Sequence, residues 1–316
     1  TLDKIVSIKG YRVELTIEEF MQQLASIGQV LCGQTADLAP ADKKLYALRD
    51  VTGTVPSMEL IAASIMSKKI AGGAQGMVLD VKTGLGAFMQ SVDEARELAA
   101  LMVEIGRRAG RRVVCLISDM NQPLGDAVGN AIEVREAIHA LQGGGPDDLR
   151  GHCVEVAGHM LVLAGGADDL ESGKQKIEDA LDDGSALAHF RRLVEAQGGD
   201  GGMVDDPDKL PRAECIETYG APSSGYVAQI HALKIGGTVM ALGGGREKKG
   251  DPIDHSVGVL IHRNIGDRVE KGEPLFTIHA SKPEQLEIAS KQLMDAHAIV
   301  EAKVDPLPLF YDTLGD

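Results

Sequence analysis

Apolar residues recur along this chain at two periods, and stretches of one alternate with stretches of the other. In TIEEFMQQLASIG (16–28), Phe20, Leu24 and Ile27 share one helical face behind a Thr16/Glu19 capping box, which predicts a helix. QVLCG (29–33) is short, apolar and closed by glycine, the pattern of a buried strand. PADKKLYALRD (40–50) reads as a helix with Pro40 near its first turn, and another helix is predicted from about Ser57 to Ala71. AQGMVLDVK (74–82) is a buried strand running into the glycine loop TGLG. SVDEARELAALMVEIGRRAG (91–110) is then a helix with a Ser91/Glu94 box and Gly110 just past its end. RRVVCLIS, DMNQPLG and DAVGNAIEVREAIHAL repeat the order strand, loop, helix over 111–141. Three further helices fill 148–197 and end in a Gly- and Asp-rich loop, AQGGDGGMVDDPDK.

Nearly continuous apolar strands alternating with helices predict an α/β fold with a mainly parallel, mixed sheet covered by helices on both faces. In such folds ligands sit where strand C-termini open into loops, here 83–87 and 119–125. From about Ala213 the texture changes to short alternating strands, AECIETY, GYVAQI and DHSVGVLIHRNIGDRVEKGEPLFTIHA. A helix near 282–297 and the strand HAIVEAKV follow, which predicts a second, α+β domain over 213–316. APSSGYV and GDRVEKGEPL resemble the halves of a biotinyl or lipoyl carrier barrel without its hairpin lysine. They point to a hammerhead or barrel-like β fold and not to a swinging arm.

Composition narrows the function. The 316 residues are 44% hydrophobic and 25% charged, enough for one large or two ordinary cores. A formal charge of -15, 3% aromatics and no Trp argue against nucleic acid and anionic membrane surfaces as partners. Cys32, Cys115, Cys153 and Cys215 are far apart with no C-x-x-C, which fits a reduced cytoplasm better than a zinc or disulfide framework. No apolar run reaches the roughly 20 residues of a spanning helix. TLDKIVSIKG, beginning at Thr1, has no leader character, and the coding sequence is expected to start upstream.

Most candidate motifs have plain readings. TGLGAF carries Met89 where a dinucleotide loop needs its third glycine, so a tight turn is favoured. His152 and His159 share a helical face without a third ligand at metal-site spacing, as core or surface histidines do. Glu133 and Glu136 read as solvated carboxylates on an amphipathic helix. Cations such as Lys68 and Lys69 near a helix C-terminus are expected from the macrodipole alone.

Taken in order, however, several blocks closely resemble the thymidine and pyrimidine-nucleoside phosphorylases over nearly the whole chain. They are TLDKI, GQTADLAPADKKLYALRDVTGTVPSMELIAASIMSKKIAGGAQGMVLDVKTGLGAFM, SDMNQPLGDAVGNAIEVREAI, and GYVAQIHAL with GDRVEKGEPLFTIHA. The resemblance implies that 1–40 begins an α/β domain, 41–72 is a remnant of a helical domain, and 73–212 is the α/β phosphorylase domain. It implies phosphorolysis of pyrimidine nucleosides, with Arg49 and Lys68 catalytic and Arg49, Ser64 and Lys68 holding the pyrimidine. Thr1 falls on a phosphate ligand, phosphate being the co-substrate. Leu124, Ala127 and Glu136 fall on three ligands of a potassium site that would be incomplete here. The partners implied are a nucleoside and phosphate, with a cytoplasmic homodimer expected where the N-terminal helical part is present.

Two positions depart from the family pattern: Val6 stands where it has Glu, and Gly84-Leu85-Gly86 where it has G-S-G. The resemblance starts inside the family's T-G-G-T signature, past its phosphate loop and its histidine. The 316-residue polypeptide is therefore expected to carry the base side of the site and to have little activity alone. A phosphoribosyl-type transferase, a nucleoside-monophosphate phosphorylase and a non-catalytic binding fragment remain the other readings.

Overall fold

A computed structural model describes residues 1–33, 39–42, 45, 57–246, 248 and 250–315. In chain order the elements are α1 (Leu2–Ile5), α2 (Ile17–Ile27), α3 (Met58–Ala71), β1 (Gly76–Thr83), α4 (Val92–Arg108), β2 (Arg112–Asp119), β3 (Ala127–Gly129), α5 (Ala131–Leu141), α6 (Asp147–Leu163), α7 (Leu170–Asp182) and α8 (Ser185–Ala196). They continue with α9 (Gly202–Asp205), β4 (Cys215–Gly220), β5 (Gly225–Ile230), α10 (Ala232–Val239), β6 (Gly258–Ile261), β7 (Arg268–Val269), β8 (Pro274–Ala280), α11 (Pro283–Met294), β9 (His297–Val300) and β10 (Phe310–Gly315). The chain forms two compact units, neither continuous in sequence. The first takes Thr1–Gly33, Asn121–Arg150 and Ala180–Leu307; the second takes Gln34–Met120, Gly151–Asp179 and Pro308–Asp316.

The second unit is built on the sheet β1-β2-β10. β1 and β2 run parallel, in register from Gly76 opposite Arg112 to Thr83 opposite Asp119, and β10 adds antiparallel to β2. One face buries Met77, Leu79 and Val81 against Ala95, Leu98, Ala99 and Met102 of α4 and Ala62 and Met66 of α3. Each large aliphatic group buried there contributes roughly 1.5–3 kcal/mol. Gly106 lets α4 approach β2, because a Cβ at that position would run into Val113. The other face packs Val78, Val114 and Leu116 against Val156 and Leu163 of α6 and Phe310 of β10. The alternation of β1 therefore sends Asp80 and Lys82 to this second face, and that places the polar cluster described below.

The first unit holds two antiparallel sheets, β3-β6-β8-β4 and β7-β5-β9. The two carrier-like stretches meet as strands, Gly225 opposite Val269 and Tyr226 opposite Arg268. A separate core joins Ile5, Ile8 and Tyr11 to Ala131, Val134 and Ile138 of α5 and Val194 of α8.

The α/β architecture with its C-terminal α+β part is as expected, and among the described strands the parallel pairing is confined to β1 with β2. Both capping boxes form: Thr16 Oγ1 accepts the Glu19 N–H at 3.1 Å and Ser91 Oγ accepts that of Glu94 at 3.2 Å. Three expectations fail. QVLCG is not a strand, because the buried Gln197 side chain takes its backbone bonds, donating to the Leu31 carbonyl at 2.9 Å and accepting the Leu31 N–H at 3.0 Å. The helix drawn from DAVGN starts only at Ala131, since Ala127–Gly129 pairs with β6. HAIVEAKV is not the last strand, because β10 follows it. The helix expected over 40–50 falls largely outside the described residues. No helix among the described residues is long and apolar enough to cross a membrane.

Candidate active site

Helix periodicity builds the first group. Ser64 and Lys68 are one turn apart on α3, and the Lys68 Nζ donates to the Ser64 Oγ at 2.9 Å. Ser64 is buried, 7% exposed, so its hydroxyl is held by the fold and not by solvent. The same ammonium lies 3.0 Å from Asp42 Oδ2, making a hydroxyl, ammonium, carboxylate chain. Asp42, Ser64 and Ser67 line a cavity of about 360 Å³ whose other walls include Pro40, Leu60 and Ala63. A cation fixed beside a buried hydroxyl can polarise a flat ligand that carries carbonyl oxygens. Arg49 lies outside the described residues. Sequence reasoning did not single out Asp42, and nothing in its spacing links it to a helix some 26 residues on.

The second group stands at the carboxyl end of β1 and β2. Asp80 Oδ2 is 2.8 Å from His152 Nε2 and 2.9 Å from Lys82 Nζ, and Oδ1 accepts a hydrogen bond from Ser118 Oγ. The His152 ring is stacked on Phe310 with centroids 4.8 Å apart. Burial works against the Asp80 charge, but the bonds from His152 and Ser118 and the Lys82 ammonium prevail, and its pKa falls to about 2. His152 is thus a core histidine with a partner, and His159 rests 3.4 Å from Glu155, as the plain reading of both expected. The adjoining TGLG segment is a turn. Gly84 takes φ 116°, its N–H reaches the Met89 carbonyl at 3.1 Å, and the Gly86 N–H reaches that of Met120 at 2.8 Å. Phe88 stands 76% exposed on this turn.

The third group is in the first unit. Thr1 precedes α1, its carbonyl accepting the Lys4 N–H at 3.0 Å and its side chain making no capping bond. Asp3 is held by Arg246 at 2.8 Å, and Lys4 pairs with Glu133, which also accepts the Gly129 N–H at 2.9 Å. Glu136 Oε1 accepts the N–H groups of Asp126 at 2.8 Å and Ala127 at 2.9 Å. Burial pushes Glu136 up to about 7, helped by the charges of Asp126 and Glu133 and opposed by the two N–H bonds. Glu133 and Glu136 are therefore not the solvated carboxylates their helical pattern suggested; β3 and the 124–127 turn lie against them. Leu124 opens that turn, and the positive φ of Gly125, 72°, folds it back so that it meets the Glu136 carboxylate. Among the described residues no three His, Cys, Asp or Glu side chains form a metal cluster, so a cation here would depend on backbone carbonyls beside one carboxylate.

Comparison with known proteins adds to this geometry. A family model described as "Glycosyl transferase family, a/b domain" matches residues 1–187, and one described as "Pyrimidine nucleoside phosphorylase C-terminal domain" matches residues 226–300. The chain is 48% identical over 315 residues to the pyrimidine-nucleoside phosphorylase of Geobacillus stearothermophilus, covering 100% of this chain and 72% of that one. It is 48% identical over 307 residues to the Bacillus subtilis enzyme of the same name, covering 97% and 71%. To the Staphylococcus epidermidis enzyme it is 47% identical over 316 residues, covering 100% and 72%.

Proposed function

The chain belongs to the pyrimidine-nucleoside phosphorylase family, and from that membership we propose that it holds and polarises the pyrimidine during phosphorolysis of uridine or thymidine to free base and pentose 1-phosphate. Phosphate attacks C1′ while the bond to the base nitrogen breaks, in line and without a covalent enzyme intermediate. The departing base takes the electron pair, and negative charge spreads onto its carbonyl oxygens. The Lys68 ammonium and the Ser64 hydroxyl are the donors that meet this charge, and Arg49 joins them by the family resemblance. The observation that carries the reading is the 2.9 Å Ser64–Lys68 pair held in place by Asp42. A preorganised donor of this kind is worth roughly 3 kcal/mol in a transition state that develops charge. The Thr1 hydroxyl is assigned to phosphate, and a cytoplasmic homodimer is the working form expected where the N-terminal helical part is present.

The test is calorimetric titration with uracil and thymine, followed by an assay of base release from uridine and thymidine with and without phosphate. Base binding with phosphate-dependent release supports the reading. Release that ignores phosphate would make the protein a hydrolase, and absence of base binding would remove the pyrimidine assignment.

Potassium is assigned to the Glu136 carboxylate with the carbonyls of Leu124 and Ala127. The fit rests on a half-buried carboxylate raised to about 7 in the company of Asp126 and Glu133, which a monovalent cation would relieve. The cation would supply positive charge that orders the 124–127 turn. Linkage gives a sign to test. From about 4.5 to about 7 the folded protein holds a proton on Glu136 that the unfolded chain has lost, so stability falls as pH rises through this window and levels above it. With allowance for solvent screening the loss is about 1–2 kcal/mol. Glu136→Gln is expected to abolish this slope in urea titrations. It should also abolish any stabilisation by potassium over sodium at pH above about 7, where the wild-type carboxylate is charged.

A further inference from the structure

Thr1, the residue assigned to phosphate, owes its place to α1, a single helical turn that apolar packing alone does not orient. Its carbonyl accepts the N–H groups of Lys4 at 3.0 Å and Ile5 at 3.2 Å, so the threonine moves with the turn. Four residues are too few for a helix to persist in water by itself. Within α1 only Ile5 is buried, and a single apolar anchor, being non-directional, does not fix the rotation of the turn about it.

Two ion pairs supply the missing direction. Asp3 Oδ1 accepts a hydrogen bond from an Arg246 Nη at 2.8 Å, and the Lys4 ammonium pairs with the Glu133 carboxylate. Consecutive helical residues point about 100° apart, so the two pairs hold α1 from two sides. Both partners are anchored at the start of α5. Glu133 Oε1 accepts the Gly129 N–H at 2.9 Å. The segment bearing Arg246 is tied down on either side, Asn130 Nδ2 donating to the Gly244 carbonyl at 2.8 Å and the Ala131 N–H to the His255 carbonyl at 3.1 Å. Gly243, at φ 105°, turns the chain so that its carbonyl accepts the Asp254 N–H at 2.9 Å. His255 does not compete for Asp3: burial lowers its pKa despite Asp3 and Asp254, so the imidazole is neutral at pH 7 and Arg246 is the cation that answers Asp3.

Stability does not account for this pair. The Asp3 and Arg246 side chains are 44% and 45% exposed, and pairs so open to water contribute little net free energy to folding. What such a pair supplies is geometry, because a guanidinium must face its carboxylate for the bond to form. We propose that Arg246 is a positioning residue for phosphate, acting through Asp3 to set the orientation of α1 and with it the Thr1 hydroxyl. This role rests on the phosphorylase reading, in which that hydroxyl meets phosphate, and it invokes no contact between Arg246 and phosphate.

The test follows the Thr1 methyl signal of ¹³C-methyl-threonine protein by NMR, assigned with Thr1→Ser, during titration with inorganic phosphate to about 50 mM at constant ionic strength. A saturable shift is expected in the wild type. In Arg246→Gln the phosphate affinity should fall about tenfold, as for one misaligned hydrogen bond to a charged group, while the melting temperature stays within about 4 °C. Arg246→Lys, which keeps the cation, and the charge-swapped pair Asp3→Arg with Arg246→Asp should each regain the affinity to within about threefold. No saturable Thr1 shift in the wild type would remove Thr1 from the phosphate site and this role with it. A wild-type shift with unchanged affinity in Arg246→Gln would overturn the positioning role and leave the Thr1 assignment standing. A loss that neither restoring variant repairs, or a larger fall in melting temperature, would make Arg246 a structural residue only.

Discussion

If the Lys68 ammonium meets the departing base as proposed, replacing Lys68 with Met is expected to lower kcat/KM for uridine and thymidine by about 10²–10³-fold, the usual cost of removing one preorganised donor from a developing negative charge. Met keeps most of the stem length and has a similar helix propensity, so α3 should form as before. What is lost is the ammonium that bridges Ser64 Oγ at 2.9 Å and Asp42 Oδ2 at 3.0 Å. Asp42 is then a mostly buried carboxylate without its cation, which adds a stability cost of about 1–3 kcal/mol. The two effects separate in the double variant Asp42→Asn with Lys68→Met, which should recover stability without recovering rate. Uracil affinity, measured by calorimetry, should fall in Lys68→Met whether or not turnover is present. Retention of kcat/KM and of uracil binding within about threefold would remove Lys68 from the site, since that is far below the cost of one such donor.

Replacing Asp80 with Asn is the wider structural perturbation. The amide cannot satisfy His152, Lys82 and Ser118 together, and Lys82, whose Nζ is buried, keeps its charge without the partner at 2.9 Å. Breaking one side of a buried ion pair costs about 3–5 kcal/mol, but Asp80 is itself exposed and this pair is only partly covered, so after solvent screening a loss of about 1–2 kcal/mol is expected in urea unfolding at pH 7. The difference between wild type and variant also depends on pH. The folded pKa of Asp80, about 2, is below its unfolded value of 3.8, so the unfolded chain binds the proton first as pH falls. The advantage of wild type is complete above about 4 and declines as pH drops through about 2, by about 1 kcal/mol once solvent screening is allowed for. A variant whose stability coincides with that of wild type from pH 7 to pH 2 would show that the Asp80 contacts carry no net free energy.

These two residues differ in how legible they were. The Ser64–Lys68 spacing was visible as a four-residue step on one helix, and Thr16/Glu19 and Ser91/Glu94 were visible as caps, because each relation is completed within about one turn. Asp80 was hidden inside an apolar run that reads as a buried strand. Only the pairing of β1 with β2, and α6 beneath them, brings Ser118 and His152 to it. QVLCG failed for the converse reason: its composition suits a strand, but the Gln197 side chain supplied the partners that a neighbouring strand would have supplied.

Glu133 and Glu136 mark the same limit from the surface side. A helical pattern tells which residues share a face and says nothing of what covers that face. Here β3 and the 124–127 turn cover it and raise Glu136 to about 7. By itself the sequence determined the helices with their caps, the change of texture near Ala213 and the family resemblance. Those depend on backbone periodicity and on residue order, which are properties of neighbouring positions. The tertiary structure alone decided that Asp42 meets Lys68, that β10 joins β2 and that Arg246 meets Asp3. Contacts between distant segments are selected by packing and by the need to satisfy buried charge, and no local pattern encodes that selection.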